Sequence, residues 1–83
     1  VIHKFLDARE MSHPEPLEKA IAILRQLDND SCLYMLSRKN PTPLLKIAEE
    51  NRLQTITQEV VPNEWHILIT PNDNIDLKAE LRV

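Results

Sequence analysis

Apolar and polar positions along this chain switch between two periods, and the switches mark its elements. Residues 1–8 (VIHKFLDA) are short, apolar and β-branched at the start, which predicts a first strand of about six residues. A residue before proline avoids the α region, so His13 should be the last non-helical residue, with Pro14 opening a helix that runs to about Leu27. Leu17, Ala20, Ile21, Leu24 and Leu27 recur three and four apart as one apolar stripe, while Glu18, Lys19, Arg25 and Gln26 face water. Within Ser31–Ser37, the run Cys32-Leu33-Tyr34-Met35-Leu36 is apolar on both faces and predicts a central strand. Thr42 is the expected N-cap of a second helix, with Pro43 after it. Leu44, Ile47 and Ala48 form its apolar edge, and Asn51 stops it where glycine is usual. Residues 53–60 and Glu64–Thr70 predict two more strands, joined by a hairpin connection at Val61-Pro62-Asn63. In the last of these, Trp65, Ile67 and Ile69 alternate with His66, Leu68 and Thr70.

The tail is less direct. Residues 75–83 alternate apolar and polar without exception, which predicts a fifth, edge-type strand against the helix propensity of their Leu, Lys, Ala, Glu and Arg. The expected fold is an α/β chain of the α+β two-layer sandwich type, in the order βαβαββ. Two helices lie on one face of a mixed four-stranded sheet, and the C-terminal segment can add a fifth strand. Residues 1–70 form the domain and 71–83 an extension. Leu17, Ile21, Leu24 and Ile47 should form the core with Leu33 or Tyr34 and with Trp65 or Leu68, by register. Two helices cover one face only, so Leu33 or Tyr34, Met35 and Leu68 should be left exposed on the other, and a homodimer or a protein partner is expected there.

Composition narrows the functional classes. An 83-residue chain is one small domain. Ten Lys and Arg against thirteen Asp and Glu give a formal charge of −3, which argues against nonspecific nucleic-acid binding and against a polybasic membrane anchor. A single Phe, Tyr and Trp make no stacking platform for bases. Apolar runs are too short to span a bilayer. The chain has no glycine where about six would be usual at roughly 7%, so Gly-rich phosphate loops are absent. One cysteine forms no internal disulfide and no leader pattern opens the chain, so a reducing cytoplasm is the expected location.

Candidate chemistry is concentrated at one edge. In consecutive parallel βα units both strands deliver their loops to the same side of the sheet, so residues 9–13 and 37–42 should lie together with both helix N-termini aimed at the gap. Backbone N–H groups at helix starts bind anions, and Arg9, His13, Ser37, Arg38, Lys39 and Thr42 would surround such a ligand. Asp7, Glu10 and Glu15 make the cluster roughly neutral, and Asp7 has Arg9 or Arg38 as ion-pair partner. His3, His13 and His66 share no ligand spacing, so neither a metal nor another cofactor is expected, and no catalytic residue is assigned. Cys32, inside an apolar strand, reads as a small buried hydrophobe.

Leu6-Asp7-Ala8-Arg9, then Pro14-Glu15-Pro16-Leu17, then Pro41-Thr42-Pro43-Leu44, then Glu64-Trp65 resemble the TusA/SirA-like sulfur-carrier domains over about residues 3–70. The likeness is to a branch known only as a domain of unknown function, DUF2249-like. That resemblance implies the βαβαββ fold. Carriers of this type use Cys-Pro-x-Pro, with the thiolate at a helix N-terminus, and the match puts His13 in the cysteine's place. An imidazole carries no persulfide. The expected function is therefore a non-enzymatic binding or regulatory module that lacks the carrier cysteine. The alternatives are a sulfur carrier or sulfurtransferase-related protein acting through Cys32, or anion or nucleotide binding at the paired helix N-termini.

Overall fold

A computed structural model describes residues 1–82. The elements are β1 (Ile2–Asp7), α1 (Glu15–Leu24), β2 (Ser31–Ser37), α2 (Thr42–Glu50), β3 (Gln54–Val61), β4 (Glu64–Thr70) and α3 (Leu77–Glu80). The four strands form one mixed sheet in the order β1-β2-β4-β3. β1 pairs parallel to β2, with Leu6 opposite Met35, and β4 pairs antiparallel to both β2 and β3. β2 is thus central, as its apolar run requires, and Cys32 to Leu36 are all buried.

Strand parity divides the buried residues into two layers. Leu6, Leu33, Met35, Ile67 and Ile69 point to the helix side, where they meet Ala20 of α1 and Leu44 and Ala48 of α2, with Leu17, Ile21, Leu24 and Trp65 half-buried around them. Ala20 and Ala48 are fully buried, and their small side chains let α1 and α2 lie close over the sheet. Cys32, Tyr34, Leu36 and Leu68 point to the opposite side.

That second face is not bare. Ile75, Leu77 and Leu81 pack on it, and Tyr34 and Leu68 are 2% and 0% exposed. The expected apolar surface is therefore not left bare: Tyr34 and Leu68 are covered by the chain itself, and Met35 lies on the helix side instead. The expected fifth strand is corrected at the same point: residues 77–80 form one helical turn, opened by Asp76, whose carboxylate accepts the Lys78 N–H at 3.1 Å. The physical reason lies in the topology. β4 sits between β2 and β3, so a chain leaving it finds no free edge beside it, and covering Cys32, Tyr34, Leu36 and Leu68 outweighs the alternation. Gln54 Nε2 donates to the Asn72 and Ile75 carbonyls, and Asn72 Nδ2 to the Asn29 carbonyl, which fixes the turn into this strap.

Smaller corrections concern the ends of elements. α1 stops at Leu24 rather than Leu27, and Pro14 is its N-cap rather than its first residue. Thr42 is the first residue of α2 and caps nothing with its side chain; Pro41 holds the N-cap. After α2 the left-handed position falls on Arg52, at φ 59°, while Asn51 keeps a negative φ and its Nδ2 donates to the Ile47 carbonyl. The hairpin turns on Pro62 and Asn63, and Asn63 takes the positive φ of 66° that a tight turn needs.

Candidate functional site

Because β1 and β2 are parallel, their following loops leave the same edge of the sheet and enclose a cavity of about 520 Å³. Ala8 continues the pairing by donating its N–H to the Leu36 carbonyl at 2.8 Å, so the first loop starts from a fixed point. Met35 and Leu44, which belong to the core, and the half-buried Met11 and Leu17 give the cavity an apolar floor. Arg9, His13, Ser37, Arg38 and Lys39 all line it, so five of the six residues expected at this site come together. Thr42 is exposed and outside the lining.

The five differ in what they can offer a ligand. Arg9 is already saturated: Nε and Nη2 donate to the two Asp7 carboxylate oxygens at 2.9 and 2.8 Å, and Nη1 donates to Glu64 Oε1 at 2.9 Å. Two carboxylates hold this guanidinium well above its ordinary range, and its work is to tie the end of β1 to the start of β4. Arg38 donates to Glu10 at 3.0 Å, but both side chains are largely in water, 61% and 88% exposed, so a ligand can displace this pair at little cost. Lys39 has no ion-pair partner among the described residues. Ser37 Oγ accepts the Lys39 N–H at 3.3 Å, which shapes the loop. His13 is exposed on the rim, and its peptide bond to Pro14 is cis.

The helix starts hold fewer donors than their number suggests. Each α-helix begins with four N–H groups that have no partner inside the helix. In α1 those positions are Pro14, Glu15, Pro16 and Leu17, and in α2 they are Pro41, Thr42, Pro43 and Leu44. The prolines have no N–H, Glu15 donates back to the Ser12 carbonyl at 2.9 Å, and Thr42 donates to the Asn40 carbonyl at 2.9 Å. One amide per helix stays without a backbone or side-chain partner among the described residues: Leu17 and Leu44, both in the cavity lining. The twofold Pro-x-Pro-Leu pattern thus trims the backbone contribution to two donors, and Lys39 and Arg38 must supply most of the positive charge.

Asp7 provides a pH signature for the rim. The hydrogen bonds from the Arg9 guanidinium, then from the Arg9 backbone N–H, lower its pKa from 3.8 to about 2. A carboxylate depressed in the folded state stabilises it above the unfolded pKa and loses that contribution as pH falls through the folded one. The rim should therefore hold its shape above about pH 3.8 and loosen as pH falls from there through about 2. Carbon-detected NMR should find an Asp7 titration midpoint near 2. Arg9→Ala should return it to the ordinary carboxylate range, and an unchanged midpoint would show that Arg9 is not the cause.

A second polar group lies on the strap side, and sequence reasoning assigned it no role. The Tyr34 hydroxyl accepts the Arg82 backbone N–H at 2.9 Å and donates to His66 Nδ1 at 2.7 Å. Arginine accepts no hydrogen bond, so Arg82 Nη2 donates to His3 Nδ1 at 3.1 Å, and His3 Nε2–H donates to Glu80 at 2.8 Å. His3 and His66 flank the Tyr34 ring, with centroids 5.7 and 5.5 Å away. His66 Nε2 is 3.7 Å from Glu64, which also binds Arg9, so the strap anchor and the cavity rim share one carboxylate. Cys32 lies under the strap with no exposure, and burial, then the Glu80 charge, push its thiol pKa up. His3, Tyr34 and His66 share a face through strand register alone, which no local spacing in the sequence reveals.

Among the described residues no group of three or more His, Cys, Asp or Glu side chains is placed to hold a metal ion, and no helix is long and apolar enough to cross a membrane. The chain matches none of the curated proteins and none of the solved structures with which it was compared. A family description, "Uncharacterized conserved protein (DUF2249)", matches residues 5–71, a span from the middle of β1 to the end of β4 that includes both Pro-x-Pro-Leu segments and the whole cavity lining. The chain belongs to the DUF2249 family.

Proposed function

We propose that the protein is a non-enzymatic binding module that takes a small anion in the cavity between the two βα loops. The observation that carries this function is the convergence there of Lys39, which has no ion-pair partner among the described residues, a readily released Arg38, and the Leu17 and Leu44 amides, which have no partner among those residues either. Sulfate or phosphate should raise the melting temperature at concentrations where chloride of equal ionic strength does not, because mass action stabilises only the state that binds. The double substitution Arg38→Ala and Lys39→Ala should remove that response. A response that survives it would return these loops to a purely structural role.

Kinship with the TusA/SirA-like carriers is part of the same proposal. It is supported by the βαβαββ order and by Pro14-Glu15-Pro16-Leu17 at the start of α1, with His13 where the carriers have cysteine. Sulfur chemistry through Cys32 is the weaker reading, since its thiol is fully buried, protonated by preference, and on the side of the sheet away from α1. Incubation with a persulfide donor should add no sulfur to the intact mass. A +32 species abolished by Cys32→Ser would favour the carrier.

A further inference from the structure

Resting on that anion-binding function, the geometry points to an organic ligand: we infer that the cavity takes a monoanion carrying an apolar body of aromatic size, in preference to an inorganic oxyanion. Size is the first ground. About 520 Å³ falls within the range of roughly 300–1,000 Å³ typical of organic-ligand pockets, whereas a liquid water occupies about 30 Å³ and a bare oxyanion only a few times that.

The distribution of polarity is the second. Met35 and Leu44, each 1% exposed, and the half-buried Met11 and Leu17 form the floor. An inorganic ion held by the rim cations and the Leu17 and Leu44 amides would leave that apolar floor uncovered, so it binds without the gain the floor can give. A hydrocarbon body covers the same surface favourably, and two thioethers suit the edge of an aromatic ring.

Charge sets the number of anionic groups. Asp7 and Glu64 more than balance Arg9, and Glu10 shares Arg38, so Lys39 and a partly free Arg38 are the lining cations that a ligand can engage. That arrangement matches one carboxylate or sulfonate on the rim with the body pointing inward. A polyphosphate would bring more negative charge than the rim can balance.

Three probes separate the terms: sulfate, 2-naphthoate and the uncharged 2-naphthol, each titrated into the ¹⁵N-labelled full chain. The naphthoate should bind at least tenfold more tightly than sulfate, moving amides within residues 8–17 and 35–44. Arg38→Ala with Lys39→Ala should weaken the naphthoate at least fivefold and leave 2-naphthol unchanged. Met11→Gln, at a half-buried floor position, should weaken the naphthoate more than it weakens sulfate. Equal affinities for sulfate and naphthoate at these amides would overturn the organic-ligand inference while the anion function stands. 2-Naphthol binding as tightly as the naphthoate would overturn the anion function and keep the apolar floor. Shifts from none of the three within these segments would overturn both.

Discussion

A chain cut after Asn74 is expected to lose most of its stability and to self-associate. The cut removes Ile75, Leu77 and Leu81 from the face formed by Cys32, Tyr34, Leu36 and Leu68, each of which is less than a tenth exposed in the intact protein. Fully burying one such side chain contributes about 1.5–3 kcal/mol, so three, two of them only partly buried, contribute about 4 kcal/mol. Domains are stable by only about 5–15 kcal/mol, and one this small sits near the lower end. The cut also takes away the Arg82 N–H that the Tyr34 hydroxyl accepts. Urea unfolding should show the midpoint falling steeply or the transition vanishing, and light scattering should show dimers or larger species held by the bared face. Tyr34→Phe is the gentler version. It strips His66 Nδ1 and the Arg82 N–H of their shared partner, and should cost about 1–3 kcal/mol with faster amide exchange confined to the strap. A truncated chain with the parent's midpoint and a monomer's mass would mean that the strap is not part of the core.

On the other face the largest single loss should come from Ile67→Ala. Ile67 is fully buried at the centre of β4, opposite Met35 on one side and Thr57 on the other, under the two helices. Close-packed surroundings relax only partly around a removed side chain, so the substitution should cost about 2–5 kcal/mol, and Ile67→Val about 0.5–1.5 kcal/mol. Since the cavity would open beneath α1 and α2, exchange at the strap amides should rise only with global unfolding, unlike the effect of Tyr34→Phe. Thermal or urea denaturation measures the first quantity and hydrogen exchange the second. A cost below about 1 kcal/mol for the alanine would place Ile67 outside the tightly packed core.

These two faces mark what the sequence made legible and what it did not. The double-sided apolar run of β2, the stripe of α1 and the alternation of β4 report burial directly, because period and parity are local properties. From them follow the strand and helix order, the mixed sheet and the meeting of Arg9, His13, Ser37, Arg38 and Lys39 at one edge. The tail misled because alternation implies a strand only when an edge is available to pair with, and edges are a property of the finished sheet order β1-β2-β4-β3. Arg9 was legible as a member of the cluster but not as a neutralised one, since Glu64 lies 55 positions away. Proline at the helix starts was read as compatible with a helix. Its second consequence, the loss of donors that leaves only Leu17 and Leu44 free at the two helix starts among the described residues, emerges once the Glu15 and Thr42 amides are seen to bond back into their loops. Tyr34 between His3 and His66 had no local signature at all.

The central claim, that the cavity between the βα loops receives an anion, is tested most directly by following the amide resonances of Leu17 and Leu44 during a phosphate titration. Both N–H groups should shift downfield together and saturate with one dissociation constant, while Ala20 and Ala48, deeper in the same helices, stay in place. Leu17 and Leu44 remaining unmoved at saturating phosphate, or shifting no more than they do in chloride of equal ionic strength, would contradict it.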